Sequence, residues 1–276
     1  MTGKLYLVGT PIGNLGDFSP RAARVLSEVD FIAAEDTRVS VRLLNHLGIK
    51  KPMVSYYQHN LRQRGQEIMA RIAAGESCAI ITDAGMPCIS DPGEDLVALC
   101  AEEGIEVVGV PGPNAAVTAL ALSGLPTGRF CFEGFLPVNR RSRRQQLEEL
   151  AQERRTLIFY EAPHKLTTTL ADLLEALGDR RISLARELTK LHEEVRRTTV
   201  AQALEHYSQT PPRGEFVLVV EGAPAPAEEP ALSLEEAAEQ VRELQRQGLS
   251  ASEAARQVAR ATGYAKSQLY RLAGQG

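Results

Sequence analysis

No apolar run in this chain approaches the roughly 18 residues that a membrane-spanning helix needs. The opening MTGKLYLVGTP has one lysine and a short apolar stretch that breaks at Gly9, too short for a secretion signal or an anchor. The expectation is a soluble, cytoplasmic protein. Cysteine is scarce: Cys78, Cys88, Cys100 and Cys131 form no CxxC pair and stand at no metal-like spacing from histidine. Isolated, apolar-flanked cysteines read as buried thiols, so neither a disulfide nor a structural zinc is expected. His46, His59, His164, His192 and His206 are too scattered to nominate a metal site. GxGxxG is missing, because GTPIGN at 9–14 departs from it and no acidic residue follows at the dinucleotide spacing. That argues against a nicotinamide site, and the lack of GK[ST] excludes a P-loop. No Ser-His-Asp or Cys-His arrangement and no internal repeat is present. The net charge of −4 excludes a polycation, although local patches rather than bulk charge decide nucleic-acid binding.

What the chain does have is a series of special turns in fixed order. GTPIGN (9–14), TDAGMPCISDPGE (82–94), VPGPNAA (110–116) and YEAPHKL (160–166) each follow an apolar, strand-like run, and AEDTR (34–38) ends another. In an open α/β sheet the carboxyl edge of the strands is where ligands bind, at points where strand order reverses. Strands are expected at LYLVG (5–9), FIAAED (31–36), MVSYY (53–57), CAIITDAG (78–85) and EVVGVPG (106–112). Ser19-Pro20 opens a helix whose apolar face is Ala22, Val25, Leu26 and Val29. Asp91-Pro92-Gly93-Glu94 reads as a second helix start, with Asp91 as its cap and Glu94 as a capping-box carboxylate.

At 276 residues and 43% hydrophobic content, the chain suggests two packed domains with an appendage. Gly124-Leu125-Pro126 reads as the hinge. Beyond it, RFCFEGF, TLIFYEA, RISLARELT, EVRRTTV and EFVLVVEG are strand candidates, with helices at 140–153, 164–177 and 201–208. Direct strand succession near 182–200 predicts a hairpin in a mixed sheet. The expected organisation is an α/β domain at 1–124, a mixed-sheet α+β domain at 125–222, a proline-rich linker at 223–231 and a helical module at 232–276. In that module Ser250 caps a helix that Gly263 ends, and Lys266–Leu272 forms another, a helix-turn-helix pattern that a plain packing module would share.

Asp83 stands where a strand meets a flexible turn, so its carboxylate can reach a ribose or an amino group, with turn capping as the plainer alternative. Ala84 and Gly85 are small enough for a ligand to lie on the backbone. Asn114 stands at a helix start, where it either caps or binds a polar ligand. Glu35, Asp36 and Arg38 cluster at the end of an apolar strand, as substrate-positioning or proton-removing groups or as an internal salt bridge. Arg140, Arg141, Arg143 and Arg144 crowd the region after GFLP, placed to grip phosphates. Further arginine pairs occur at 154–155, 180–181 and 196–197. His59-Asn60 after Tyr56-Tyr57 is a polar loop suited to substrate contact.

The ordered set GTPIGNLGDFSPRA, AEDTR, TDAGMPCISDPG, VPGPNA, GFLP, FYEAPHKL, ARELTKLHEEV and GEFVLVVEG closely resembles the ribosomal RNA small-subunit methyltransferase I family, within the tetrapyrrole-methylase superfamily. The resemblance spans roughly residues 4–222, and the helical tail is similar to the family's extension. It implies two α/β domains with S-adenosylmethionine between them, no metal, and methyl transfer to the ribose 2′-OH of cytidine 1402 in 16S ribosomal RNA by a homodimer. It further implies that Pro11, Asp83, Ala84, Gly85, Ile89, Asn114, Ala115, Tyr160, Glu161, Glu187 and Leu188 surround the cofactor. Asp36 and Glu35 are then the candidate general bases, with Arg38 placing a phosphate or tuning them. Arg140, Arg141, Arg143 and Arg144 are the candidate RNA contacts. The rival readings are a corrin or porphyrin methyltransferase on the same fold and a DNA-binding ligand sensor.

Overall fold

The computed structural model describes residues 2–57, 60–224 and 232–274, which leaves His59 and most of the 223–231 stretch outside the described residues. The chain divides into two compact units, Met1–Ala223 and Pro224–Gly276. No helix among the described residues is long and apolar enough to cross a membrane.

The larger unit begins with β1 (Leu5–Val8), α1 (Pro20–Glu28), β2 (Phe31–Ala34), α2 (Thr37–His46), β3 (Met53–Ser55), α3 (Leu61–Ala73), β4 (Cys78–Ile81), α4 (Glu94–Glu102), β5 (Val107–Val110) and α5 (Ala115–Ser123). The strands form one parallel sheet in the order β3-β2-β4-β1-β5. β2 and β4 are buried along their whole length, which is why FIAA and CAII read as unbroken apolar runs rather than alternating ones. Cys78 and Cys100 pack inside this core. The Ser19 hydroxyl accepts from the Ala22 N–H, and Pro20 occupies the first turn, where its missing N–H is harmless. α2 buries only Ser40 and Leu44, so its sequence carries too thin an apolar stripe to announce a helix.

Strand order reverses around β1, which lies between β4 and β5 although the chain proceeds from it to β2. The turns after β1, β4 and β5 therefore open side by side. Thr10 and Gly85 join the first two, with Thr10 N–H donating to Gly85 O (2.8 Å) and Gly85 N–H donating to Thr10 O (3.2 Å). The Thr10 hydroxyl adds a bond to Thr82 O at 3.0 Å. The first and third turns meet at Gly9 and Gly112, where a Cβ on Gly9 would stand 2.7 Å from Gly112 Cα and 2.6 Å from Met86 Sδ.

The second half continues with β6 (Phe130–Phe135), α6 (Arg140–Glu149), β7 (Thr156–Glu161), α7 (Leu166–Leu177), β8 (Arg181–Arg186), β9 (Glu194–Thr199), α8 (Val200–Gln209) and β10 (Phe216–Val220). Its sheet runs β6-β7-β10-β8-β9, with β6 and β7 parallel and the remaining pairs antiparallel. The expected hairpin is β8 and β9. α6, α7 and α8 cover one face through Leu147, Leu170, Leu173 and Val200. The other face is covered by α5, whose Ala116, Ala119 and Leu120 pack on Ile158, Ala185, Val217 and Val219. Gly124 ends α5 in the left-handed conformation, and Leu125 is buried in the same cluster.

The smaller unit contains α9 (Leu234–Arg246), α10 (Ala251–Thr262) and α11 (Lys266–Ala273) around Ala237, Val241, Ala254, Val258 and Leu269. Ser233 with Glu236, and Ser250 with Glu253, form reciprocal capping boxes, and Gly263 ends α10 at φ +77°.

Gly9→Ala should destabilise the larger unit by about 1–3 kcal/mol, because the methyl group is driven into backbone that cannot give way. Urea unfolding followed by circular dichroism would measure the loss.

Candidate active site

The carboxyl edge of the first sheet faces the second sheet across a cleft of about 450 Å³. Small residues make its floor: Ala84, Gly85 and Ala115 leave backbone open to a ligand. Ile12, Ile89, Leu188, Val217 and the Tyr160 ring are its apolar walls. Tyr160 is held edge-on by Phe132 and Phe135, with ring centroids at 5.0 and 5.5 Å. Asn114 caps α5 by accepting from Val117 N–H at 3.0 Å and also lines the cleft, so capping and lining coexist.

Six carboxylates border this space: Glu35, Asp83, Asp91, Glu161, Glu187 and Glu215, with Lys190 as a cation among them. Most are tied down. Glu35 Oε2 accepts from Asp83 N–H, and Asp83 Oδ1 accepts from Asp36 N–H, both at 3.3 Å. Buried Glu161 accepts from Ala162 N–H (2.8 Å) and the Thr169 hydroxyl (2.5 Å). Glu187 accepts from Glu215 N–H and from Lys190 Nζ, each at 3.0 Å, and these contacts hold its carboxyl below its usual range. Lys190 also reaches Glu215 at 2.9 Å. Burial raises the pKa of Glu35 and Asp83. Asp91 is raised to about 7, first by burial and then by the charge of Glu35, with a weak contact to the Thr82 hydroxyl opposing the rise.

The turns that carry these groups are strained. Among the described residues, the non-glycine residues with positive φ are Cys88 (71°), Ser90 (62°), Glu187 (52°) and Thr189 (66°), all in two cleft-side loops. Such conformations persist only where the surroundings enforce them, and they concentrate at binding sites.

Of the residues expected at the site, Glu35, Asp83, Ala84, Gly85, Ile89, Asn114, Ala115, Tyr160, Glu161, Glu187 and Leu188 all line the cleft. Pro11 does not; the next residue, Ile12, takes that place. Asp36 and Arg38 also fall outside the lining. Adjacent residues at a strand end point opposite ways, and Glu35 takes the cleft while Asp36 turns to α2. There Asp36 caps the helix through Arg38 N–H (2.8 Å) and pairs with the Arg38 guanidinium (2.6 Å). That ion pair lowers its carboxyl to about 2, and the salt bridge that the sequence offered as the plainer alternative for Asp36 and Arg38 is present.

The reading of Asp91 is corrected in the other direction. α4 begins at Glu94 with Gly93 at its cap position (φ +133°) and no side-chain cap, so Asp91 is released from capping and lines the cleft. Lys190, Glu215, Phe135 and Met86 line the cleft as well, and all four lie within the resembling segments ARELTKLHEEV, GEFVLVVEG, GFLP and TDAGMPCISDPG.

The arginine cluster separates. Arg143 is a structural residue, its side chain 12% exposed, bonded to buried Asp172 at 2.6 Å and to the carbonyls of Pro137 and Val138. Arg144 pairs with Glu175 on α7. These two are engaged by neighbours within the fold, whereas Arg140 and Arg141 are exposed at the start of α6. Arg155, Arg180, Arg181, Arg196 and Arg197 are likewise engaged by carboxylates or carbonyls.

Residues 4–204 match the family Tetrapyrrole (Corrin/Porphyrin) Methylases, and residues 232–275 match the RsmI C-terminal HTH domain. The Ribosomal RNA small subunit methyltransferase I of Synechocystis sp. is 50% identical over 98% of this chain and 97% of its own length. Among solved structures, diphthine synthase aligns with TM-score 0.61 and 14% identity over 80% of this chain and 90% of its own. The uroporphyrin-III-C-methyltransferase of Thermus thermophilus aligns with TM-score 0.57 and 22% identity over 79% of this chain and 94% of its own. The chain belongs to the tetrapyrrole methylase family.

Arg143→Ala should cost about 3–5 kcal/mol, because it strands the Asp172 carboxylate in the interior. Arg140→Ala should leave stability unchanged, and parallel urea titrations of the two variants would show the contrast.

Proposed function

We propose that this chain transfers a methyl group from S-adenosylmethionine to the ribose 2′-hydroxyl of cytidine 1402 in 16S ribosomal RNA. The observation that carries the reading is the match of both units, α/β body and helical tail, to ribosomal RNA small-subunit methyltransferases over nearly the whole chain. The two solved tetrapyrrole-fold neighbours cover only about four-fifths of it.

The cleft suits this cofactor. Its volume of about 450 Å³ lies within the range of small-molecule sites. The carboxylates of Glu35, Asp83 and Glu161 are matched to ribose hydroxyls, an ammonium group and a sulfonium. Ala84, Gly85 and Ala115 allow the ligand to lie on the backbone, and Ile12, Leu188 and Val217 are matched to an adenine face. The N-terminus of α5, beside Asn114, offers amide donors for a carboxylate. When bound, the cofactor supplies an electrophilic methyl group. The protein's task is then to align donor and acceptor, to exclude water and to take up the hydroxyl proton. Exposed Arg140 and Arg141, on the helix that follows β6, are the phosphate contacts in this reading.

The test is incubation with isotopically labelled S-adenosylmethionine and small ribosomal subunits from a strain lacking the gene. Mass spectrometry should place the label on the 2′-oxygen of that cytidine. Transfer to a tetrapyrrole without RNA would replace this reading with its rival. Joint replacement of Arg140 and Arg141 by alanine should weaken subunit binding and lower the salt dependence by about one to two charges. Filter binding across a salt series would measure it.

A further inference from the structure

Asp91 is a cleft carboxylate that neither the fold nor the expected cofactor contacts account for. It does not cap α4, because Gly93 occupies that position without a side-chain bond. It makes no ion pair among the described residues. Glu35, Asp83, Glu161 and Glu187 each accept from a backbone N–H and so spend lone pairs on holding loops, and Glu215 is paired with Lys190. Asp91 has only the weak contact with the Thr82 hydroxyl. Its position is nonetheless enforced. The segment that presents it has Cys88 and Ser90 in left-handed conformations, and a Cβ on Gly93 would stand 2.8 Å from Cys88 Sγ and 3.0 Å from Ile80 Cδ1. Gly134, after the bulge in β6, stands against the same turn, since a Cβ there would lie 3.0 Å from Ser90 Oγ. Strain maintained from both sheets to present one unengaged carboxylate to a cleft is the pattern of a reacting group.

We propose that Asp91 is the general base of the methyl transfer and touches the acceptor hydroxyl. The inference rests on the functional reading above. In the step, the ribose oxygen forms its bond to the methyl carbon as the sulfur–methyl bond breaks and its electron pair stays on sulfur. The hydroxyl proton passes to an Asp91 carboxylate oxygen and from there to solvent. The groups that face Asp91 set its ionisation: Glu35 at the end of β2 and Asp83 after β4 oppose its charge, and the Cys88 thiol and Tyr160 hydroxyl are neutral neighbours. Across the cleft, Lys190 is balanced by Glu187 and Glu215, while Glu161 is bonded to Thr169. With burial added, the carboxyl titrates at about 7. A base at that position is half-ionised near neutral pH, where proton acceptance is most efficient.

The experiment compares wild type, Asp91→Asn and Asp91→Glu in single-turnover methylation of small subunits between pH 5.5 and about 8.5, bracketing the neutral titration expected of such a base. Cofactor affinity is measured by calorimetry and folding by thermal melting, and the Asp91 carboxyl is titrated by carbon-13 NMR in the free protein. In wild type the rate should rise tenfold per pH unit and level off near 7, following the NMR titration. Asp91→Asn should bind the cofactor normally, lose about 10²–10⁴-fold in rate and lose that pH limb. Asp91→Glu should restore part of the rate and of the limb. A retained limb in Asp91→Asn, or a loss of cofactor affinity equal to the loss of rate, would overturn the assignment. A wild type that binds cofactor yet methylates no subunit would overturn the functional reading on which it rests.

Discussion

The burial of α5 against the second sheet is the constraint on which the rest of the larger unit depends. The helix is joined at its N-terminus to β5 of the first sheet, while Ala116, Ala119 and Leu120 pack on β7, β8 and β10 of the other. Small residues at those positions let the helix lie close to the sheet, while Val117, Ala121 and Leu122 on its outer side stay exposed. This single contact sets how far the carboxyl edge of the first sheet stands from the second. It thereby sets the width of the cleft, the aim of Asn114 and the distance from Asp83 and Asp91 to Tyr160. Adenine walls and carboxylates come from different sheets, so they form one site only because one helix belongs to both.

Much of this architecture was readable before any coordinates. The buried strands announced themselves as short apolar runs ended by glycine and proline, because a parallel sheet is covered on both faces and its turns need unusual backbone. Ser19-Pro20 and Ser250 were readable for a local reason, since a cap depends on only three or four residues. The failures share a cause of the opposite kind. Asp91-Pro92-Gly93-Glu94 has every local mark of a helix start, but Gly93 takes the cap and the strained turn redirects Asp91, where packing against Ile80 on β4 and Gly134 on β6 fixes the turn. Asp36 and Glu35 are indistinguishable as neighbours in a string, and strand pleating sends them to different sides. Arg143 and Arg140 look alike in RRSRR, and only the position of Asp172 on α7 makes one structural and leaves the other exposed.

The electrostatics of the cleft follow from the same division of labour. Carboxylates that accept backbone N–H bonds hold the turns in place, and they keep negative charge near where a cationic ligand fits. Their mutual repulsion is tolerated because Lys190 and several amide dipoles offset it. Burial, not any single neighbour, is the main reason that Glu35, Asp83 and Asp91 are shifted upward together.

The strand order also has a consequence for how the chain is made. β1 leaves the ribosome before the other strands of its sheet, yet it sits between β4 and β5, and its earliest partner begins only at Cys78. At a synthesis rate of about 5–20 residues per second, the LYLV segment waits on the order of 4–15 seconds with both hydrogen-bonding edges unpaired. An interior strand of the finished sheet is thus an exposed stretch of the nascent one. Holding that segment apart from other apolar surfaces until β4 emerges becomes a task for the cell rather than for the fold.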